Sequence, residues 1–414
     1  MKKISCCRTC RSKHIKTFLS LGRQPLANSL LKSPNQEEKK YPLSLSFCSN
    51  CRLVQLNHTI DPKELFSHYI WLTSTSKTAR EQASIFCEQV LLRTKNLDTN
   101  YSYILEVASN DGTFLKPFIK KGYRVLGVDP AKNIVNLARK NKIPTLEKFF
   151  GIKAAKEIKK EFGPAKVIIA RNVLAHVADL ADFVKGLDLV LADDGLLAVE
   201  VHYAKNIYEG TQYDSIYHEH LCYFTLKSAE YLFNQYHLFV VDVGESPISG
   251  GSLILYIKKQ KKESALVQKY RIAEEKNGLN KFSGWQGFAK QTYSHQNKLV
   301  KLLEEIIKKN GPVVGYGASA RSSTLLNFCV IDTRLVSVIA DQNIIKHNYF
   351  TAGTHIPIKN PYLVMKEKPK YVLILAWNFA EEIMMILKEK YHFKGRCILP
   401  LPDRPKIVKI PEKK

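Results

Sequence analysis

The sequence has few acidic residues for its basic content, and it has no long apolar segment. Its 38 acidic residues face 63 lysines and arginines, which gives a formal net charge of +25. The longest apolar runs, such as residues 165–170 and 371–377, fall well short of the roughly 20 residues that a membrane helix needs. Residues 1–8 contain no apolar core of a secretory signal. These absences predict a cytoplasmic protein without membrane insertion.

The basic charge is not accompanied by the sequence motifs of a nucleic-acid-binding protein. The lysines are spread along the chain, and no RRM, KH or helix-turn-helix signature accompanies them. A basic surface also suits a diphosphate ligand or an anionic membrane surface. We therefore expect no nucleic-acid partner and a weak preference for anions.

Cysteine pairs near the N-terminus have the spacing of metal ligands. Cys7 and Cys10 form one C-x-x-C pair, and Cys48 and Cys51 form a second. Two such knuckles complete a tetrahedral Zn²⁺ site, and Cys6 offers an alternative register. Four thiolates leave no open coordination position, so the predicted zinc is structural.

A complete dinucleotide fingerprint is also lacking. Residues 101–260 alternate strand and helix patterns, which predicts a mainly parallel sheet. The first strand, residues 103–108, runs into Ser109-Asn110-Asp111-Gly112 rather than into G-x-G-x-x-G. This turn favours S-adenosylmethionine (SAM) over NAD, and Asp129 after the second strand suits a grip on ribose hydroxyls.

Polar residues follow later strands of this predicted sheet. Asn172 and His176 come after the strand at 167–171, at the carboxyl end where open α/β sheets place their chemistry. Two further strands, around 238–243 and 252–257, flank Gly250-Gly251-Ser252. The amides of this turn could face a ligand, although such a turn is more often only a hairpin.

Residues 213–224 concentrate the side chains that proton transfer requires. Tyr217, His218, Glu219 and His220 are consecutive, with tyrosines at 213 and 223. Imidazole is a competent general base near neutral pH, and a hydroxyl can stabilise an oxyanion. The alternative is that these side chains only satisfy local backbone groups.

Two other stretches have a functional and a structural interpretation. The hydroxyl run at residues 73–76 could line a polar pocket or cap the helix predicted at 77–92. Charged helices at 262–310, interrupted near residues 277–278 and 283–284, lead to a second α/β unit. There, residues 311–321 form a strand, a Gly315-x-Gly317 turn and a helix start that favour phosphate, with Arg321 adding charge.

In this combination the chain resembles the three-domain sugar C-methyltransferases, SAM-dependent enzymes that methylate C3 of dTDP-4-keto-deoxysugars. The resemblance covers almost the full length. It rests on the two cysteine pairs with residues 24–28 between them, the run 73–76, Glu106 with residues 109–112, Asn172 with His176, residues 217–220, residues 250–252, residues 315–318 with 324–327, and Trp377-Asn378.

The resemblance implies an α/β protein with three domains. These are a zinc-binding domain at 1–75, a central Rossmann-like SAM methyltransferase domain at 76–260, and a smaller Rossmann-like α/β domain at 261–414. The last would help to hold the nucleotide sugar. His220 would be the base, and Tyr217, Glu219 and His176 would support or polarise the substrate.

Binding residues follow from the same resemblance. SAM would be held by Glu106, Ala108, Ser109, Asn110, Asp111, Gly112, Asp129 and Asn172. The nucleotide sugar would be held by Tyr69, Trp71, Ser74, Ser76, Gly250, Gly251, Ser252, Gly315, Tyr316, Gly317, Ala318, Arg321 and Asn327. Two positions depart from the family: Trp71 replaces a tyrosine, and Ala108 replaces a glycine, at little cost if its φ stays negative.

The sequence therefore predicts a C3-methyltransferase of a nucleotide-linked 4-keto-6-deoxysugar, acting as a monomer or weak homodimer with SAM and structural zinc. Two alternatives stay open. One is a zinc-containing nucleic-acid methyltransferase, which would bind RNA or DNA with steep salt dependence. The other is an inactive nucleotide-sugar-binding relative, which the unusual Trp71 would suit.

Overall fold

The computed structural model describes residues 1–66, 72–94, 97–99 and 102–410. Their contacts form two compact units, each assembled from three chain segments. Unit 1 comprises Met1–Lys16, Ser46–Lys205 and Leu221–Phe282, and unit 2 comprises Thr17–Leu45, Asn206–His220 and Ser283–Lys414. The domain boundaries expected from the sequence, at 75/76 and 260/261, stay a prediction.

Strands dominate the N-terminal region. Its elements are β1 (Lys2–Lys3), β2 (Ile15–Gln24), β3 (Tyr41–Cys48), β4 (Val54–Leu56), β5 (His58–Thr59) and α1 (Pro62–Phe66). In unit 1, β1 pairs antiparallel with β5, with Lys3 opposite His58. Helix α1 begins at Pro62, because proline is tolerated where a helix N–H has no partner.

The main sheet of unit 1 follows. Its region contains α2 (Lys77–Arg93), β6 (Tyr103–Val107), α3 (Lys116–Lys120), β7 (Arg124–Asp129), α4 (Lys132–Lys140), β8 (Thr145–Glu147), α5 (Ile152–Phe162), β9 (Ala165–Arg171), α6 (Leu180–Val190), β10 (Leu191–His202), α7 (Ala204–Glu209), β11 (Cys222–Tyr223), α8 (Leu226–Asn234), β12 (Phe239–Ser246), β13 (Ser252–Lys258) and α9 (Ala265–Lys276). Seven strands lie in the order β12-β13-β10-β9-β6-β7-β8. Strands β6 to β10 are parallel, and β13 joins β10 antiparallel.

Burial on both faces explains why these strands are continuously apolar. All five residues of β6 are buried, and Ile104 and Ile169 share a core with Phe86 and Val90 of α2. Each such side chain contributes about 1.5–3 kcal/mol when it leaves water. The packing places the carboxyl ends of the parallel strands at one edge, where the predicted SAM residues follow β6, β7 and β9.

A second sheet forms the centre of unit 2. After α10 (Phe282–Asn310) come β14 (Val313–Tyr316), α11 (Ala320–Cys329), β15 (Val336–Ala340), β16 (Ile358–Lys359), α12 (Pro361–Lys366), β17 (Tyr371–Ile374), α13 (Ala380–Glu389), β18 (Arg396–Leu399) and β19 (Lys406–Lys409). The strand order is β16-β15-β14-β17-β18-β19, and only β19 is antiparallel to its neighbour. Both sheets confirm the α/β class.

The interruption predicted near residues 277–278 separates α9 from α10. Residues 283–284 lie in the first turn of α10, which begins at Phe282, so they do not interrupt a helix interior. Residues 406–409 pair with β18 as β19, a strand that was not predicted from the sequence. Within the described part of the chain, no helix combines the length and the apolar composition of a bilayer span.

Candidate active site and metal centre

The four predicted zinc ligands converge in unit 1. The Sγ atoms of Cys7, Cys10, Cys48 and Cys51 all lie within 4.8 Å of one another. Cys7 and Cys51 are 3.4 Å apart, and Cys10 and Cys48 are 3.5 Å apart. A tetrahedron with Zn–S bonds of about 2.3 Å has edges of similar length, so the donor set fits Zn²⁺.

The two knuckles have the same backbone geometry. Arg11 donates its N–H to the Cys7 carbonyl, and Arg52 donates to the Cys48 carbonyl. Both arginines have positive φ, 58° and 65°. Thiol hydrogen bonds, first from Cys51 and then from Cys7, lower the pKa of Cys48, while the same contact with Cys48 raises the pKa of Cys7 and of Cys51. The cluster thus stabilises a thiolate, the form that binds metal.

Hydrogen bonds hold the turn after β6, residues 108–112, in a partly left-handed conformation. Asn110 and Gly112 have φ of 49° and 74°, and a Cβ at Gly112 would lie 2.2 Å from the Ile143 side chain. Asp129 accepts N–H groups from Asn110 and Ala131 at 3.0 and 2.9 Å. Asp129 therefore braces the turn, and its ribose contact stays a prediction.

Ala108 does not meet the condition that would make it harmless. Its φ is 56°, in the region where a Cβ collides with backbone atoms. The expectation of a negative φ is therefore wrong. The alanine occupies a glycine conformation under strain.

Below this turn lies a buried acidic group. Glu106 on β6 is buried, its Oε2 has no hydrogen-bond partner among the described residues, and burial raises its pKa to about 8. The buried Oγ of Ser109 likewise has no partner there. Orphaned polar atoms at a strand's carboxyl end fit a polar ligand such as SAM. Two residues that the sequence analysis did not single out, Arg171 and Glu200, pair nearby at 2.6 Å.

Residues of the hydroxyl run attach to the same turn through their backbone. Thr73 and Ser74 donate N–H groups to the Asn110 and Asp111 side chains, each at 3.0 Å. Ser76 caps α2 by accepting the Ala79 N–H, so the capping interpretation is confirmed for that hydroxyl. Tyr69 and Trp71 lie outside the described residues.

The remaining unit 1 candidates follow β9 and precede β13. Asn172 has φ of 50° and donates its N–H to the Glu200 carbonyl at 2.8 Å, and His176 ends a 3-10 turn, Leu174–His176. Gly250 and Gly251 have positive φ and connect β12 to β13. The Ser252 hydroxyl donates to the Ile248 carbonyl. Ligand contacts of all five stay predictions.

In unit 2, the residues of the predicted base are in contact. His220 Nδ1 lies 2.9 Å from the Ser215 carbonyl oxygen, and His220 Nε2 lies 2.7 Å from the Tyr217 hydroxyl. Because a carbonyl only accepts, Nδ1 carries the proton in neutral His220. The basic lone pair is then on Nε2, beside the tyrosine hydroxyl.

Glu219 is held by an asparagine from far away in the sequence. Asn28 donates its side-chain N–H to Glu219 Oε1 at 2.6 Å. Burial raises the pKa of Glu219 to about 7, against the lowering effect of Asn28. In the sequence, residues 24–28 indicated only the family resemblance. Glu219 thus shares the segment with His220, while His218 is buried and packs edge-on against Tyr41.

The glycine turn of unit 2 has partners within the protein. Gly317 has φ of 94°, and a Cβ there would approach Ala376 to 2.7 Å. Ala318 donates its N–H to Asp341 at 2.7 Å. The Tyr316 hydroxyl accepts from Gln342. A phosphate would have to replace or join these contacts.

Two polar side chains of α11 are also engaged. Arg321 donates to Asp214 through Nε and Nη2 at 2.9 and 2.7 Å. Asn327 donates to the Ser323 and Ala352 carbonyls. Arg321 was expected to add charge for a phosphate, but its charge is already paired. The substrate contacts of both residues stay predictions.

Family models cover the chain in three consecutive parts. Residues 7–66 match a zinc-binding domain, residues 79–243 match a methyltransferase domain, and residues 247–402 match a C-methyltransferase C-terminal domain. The zinc ligands and the orphaned Glu106 lie in the parts to which these models assign metal binding and methyl transfer.

A curated relative matches the chain end to end. C-methyltransferase NovU of Streptomyces niveus is 30% identical over 417 residues, which is 99% of this chain and 98% of that protein. Among solved structures, a SAM-dependent methyltransferase of Anabaena variabilis aligns with 44% of this chain and 86% of its own, at 18% identity and a TM-score of 0.35.

Magnesium protoporphyrin IX methyltransferase of Synechocystis with bound SAM aligns with 43% of this chain and 78% of its own, at 13% identity and a TM-score of 0.32. The full-length relative and the three domain models agree with the cysteine cluster and with the turn after β6. The chain belongs to the family of SAM-dependent C-methyltransferases that carry an N-terminal zinc-binding domain and a C-methyltransferase C-terminal domain.

Proposed function

We propose that the protein methylates C3 of a nucleotide-linked 4-keto-6-deoxysugar, with dTDP as the expected nucleotide. The observation that carries this proposal is the hydrogen bonding of His220. Its Nδ1 proton is held by the Ser215 carbonyl, so Nε2 is the basic atom, and Tyr217 places a hydroxyl 2.7 Å from it. A base and an oxyanion donor side by side suit removal of a proton next to a ketone.

The first step breaks the C3–H bond of the ketosugar. Nε2 of His220 takes the proton, and the electron pair moves toward the C4 oxygen as an enolate. The Tyr217 hydroxyl then donates to that oxygen instead of to Nε2. The neutral tautomer is ready for this exchange because its other nitrogen already carries a proton.

SAM supplies the electrophilic methyl group, whose bond to sulfur breaks as the bond to C3 forms. The buried Glu106, the turn 108–112, Asp129 and Asn172 would hold it in unit 1. The orphaned Glu106 Oε2 and Ser109 Oγ support this assignment, because both need a polar partner. His176, after β9, is proposed to polarise the substrate from its own strand end.

Glu219 and Asn28 would bind a sugar hydroxyl. A buried carboxyl group with a pKa near 7 can accept or donate a hydrogen bond at physiological pH. The turn 315–318 is proposed to face the nucleotide diphosphate, whose remote binding energy can position C3. The proposed substrate set also contains residues 250–252, Ser74, Ser76 and Asn327, together with Tyr69 and Trp71, which lie outside the described residues.

The test measures two reactions of one substrate. Wild-type protein with dTDP-4-keto-6-deoxysugar in D₂O should exchange the C3 hydrogen without SAM, and should incorporate label from methyl-labelled SAM. His220→Asn should lose both by about 100-fold or more while SAM still binds. His392→Asn, an exposed histidine of the same unit, serves as the matched control.

Retained exchange in His220→Asn would move the base to another residue. Methyl incorporation into RNA or DNA, but not into the ketosugar, would favour the nucleic-acid alternative. Binding of the nucleotide sugar without either reaction would favour the inactive relative.

A further inference from the structure

A buried carboxylate lies one residue before the carbonyl that orients His220. Asp214 is 1% exposed and lies in the 3-10 turn Tyr213–Ser215. It accepts the two Arg321 hydrogen bonds described above and a third from Trp377 Nε1 at 2.7 Å. The Arg321 guanidinium also lies over the Trp377 ring, 4.6 Å from its centroid.

Helix α11 makes a second contact with the same turn. Thr324, three residues after Arg321 and so on the same helix face, donates its hydroxyl to the Ile216 carbonyl at 2.8 Å. Arg321 and Thr324 thus hold the residues immediately before and after Ser215. The Ser215 carbonyl lies between these two contacts and accepts the hydrogen bond from His220 Nδ1.

We propose that Asp214, Arg321, Trp377 and Thr324, the Asp214 clamp, position the base by fixing the Ser215 carbonyl and with it the tautomer and ring orientation of His220. The inference rests on the proposed function only for its kinetic consequence. It gives Arg321 a positioning role in place of the expected phosphate contact.

The geometry favours positioning over general packing. A bidentate guanidinium–carboxylate pair has a fixed mutual orientation, and the indole N–H restricts the carboxylate from a second direction. Three donors from two elements that are distant in sequence therefore define one carbonyl position. A tyrosine on the same turn is held in the same way, since the Tyr213 hydroxyl contacts His295 Nδ1 at 3.0 Å and Cys329 at 3.1 Å.

The first experiment reads the tautomer directly in the full-length protein. ¹⁵N-labelled wild-type protein at pH 8 should show His220, assigned by loss of its signal in His220→Asn, with the proton on Nδ1. Asp214→Asn and Thr324→Val should shift this signal toward a mixture of tautomers. Asp332→Asn, which breaks the exposed pair with Arg334, should leave the signal unchanged.

The second experiment measures catalysis. Asp214→Asn and Thr324→Val should reduce kcat and C3–H exchange together by about 10- to 100-fold, because misplacing a reacting group has effects of that size. KM for the nucleotide sugar should change less than threefold. Trp377→Phe should have a smaller effect in the same direction, since it removes one of three donors.

Two results would overturn the clamp. One is an unchanged Nδ1-protonated signal in Thr324→Val, which removes a single neutral hydrogen bond and keeps the proposal testable if Asp214→Asn does not fold. The other is an Arg321→Lys variant with higher KM and normal kcat, which would return Arg321 to phosphate binding. Wild-type protein that neither exchanges nor methylates would refute the proposed function alone, because the tautomer is measured without substrate.

Discussion

Ala108 shows how one residue can carry strain in the turn after β6. Its φ of 56° costs an L-residue roughly 1–2 kcal/mol relative to glycine. Replacing Ala108 with glycine would relieve this strain. The greater conformational freedom of glycine in the unfolded chain would offset about 0.4–1 kcal/mol of that gain. The net stabilisation expected from glycine at this position is therefore small.

Ala108→Gly is expected to raise the free energy of unfolding by about 0.5–1 kcal/mol, measured by chemical denaturation without ligand. Gly112→Ala is the control with the opposite sign, because its added Cβ would meet Ile143. A less stable Ala108→Gly protein would mean that position 108 is not strained in solution.

Glu219 should make stability depend on pH. Burial raises its folded-state pKa from 4.5 to about 7, so the folded protein binds this proton more tightly than the unfolded chain does. The carboxyl group therefore destabilises the fold increasingly as pH rises from about 4.5 to 7, and the penalty is complete above that range.

Glu219→Gln removes this titration and keeps the shape and the acceptor for Asn28. Between pH 4.5 and 8, its unfolding free energy should rise relative to wild type by up to about 3 kcal/mol. Denaturation curves at several pH values measure the difference, which cancels other groups that titrate in both proteins. Glu389→Gln at an exposed site should show a flat difference. A flat difference for Glu219→Gln as well would contradict the raised pKa.

At the scale of elements, regular patterns were predicted well and irregular ones were not. The helix expected at 77–92 is α2, Lys77–Arg93, and the strand expected at 103–108 is β6, Tyr103–Val107. Helix α2 has its buried residues at helical spacing, and β6 is a short run that is buried throughout. The interruption expected near residues 277–278 separates α9 from α10, and Gly278 there has a positive φ of 75°.

Strand β19, in contrast, was not predicted. Its sequence, Lys406-Ile-Val-Lys409, lies at the edge of the unit 2 sheet, where charged residues are common because they discourage further pairing. A charged edge strand looks like a polar tail in the sequence. Only its pairing with β18 identifies it.

The candidate site was predictable where its residues are adjacent in the sequence. The cysteine pairs and residues 217–220 were found from spacing and residue type. The contacts of Asp214, which lies just before these residues, could not be predicted because its partners Arg321 and Trp377 are 107 and 163 residues away. The contact of Asn28 could not be predicted for the same reason, since Glu219 follows it by 191 residues. Long-range pairing has no local pattern.

At the scale of the whole molecule, the chain interleaves its two units. Thr17–Leu45 and Asn206–His220 belong to unit 2, although both are flanked by segments of unit 1. The first carries Asn28 and the second carries Tyr217, Glu219 and His220. A sequence divided into consecutive domains cannot express this arrangement, because contacts rather than chain order define each unit.

The four zinc ligands flank the first of these segments in the sequence. Cys7 and Cys10 precede Thr17–Leu45, and Cys48 and Cys51 follow it. Bound zinc therefore links the two ends of the segment that carries Asn28. Closing such a loop reduces the freedom of the unfolded chain, and metal binding adds directly to folding free energy.

Removal of zinc is therefore expected to reduce both stability and methyl transfer. Wild-type protein should contain one zinc ion per chain, and a strong chelator should lower its unfolding free energy by on the order of 5 kcal/mol or more. Cys48→Ser should show the same loss without chelator. Cys6→Ser is the matched control, because Cys6 lies outside the four-sulfur cluster, and it should keep its zinc. An apoprotein with the same melting temperature and methyl-transfer rate as the zinc-bound form would show that the two knuckles need no metal to link the ends of this segment.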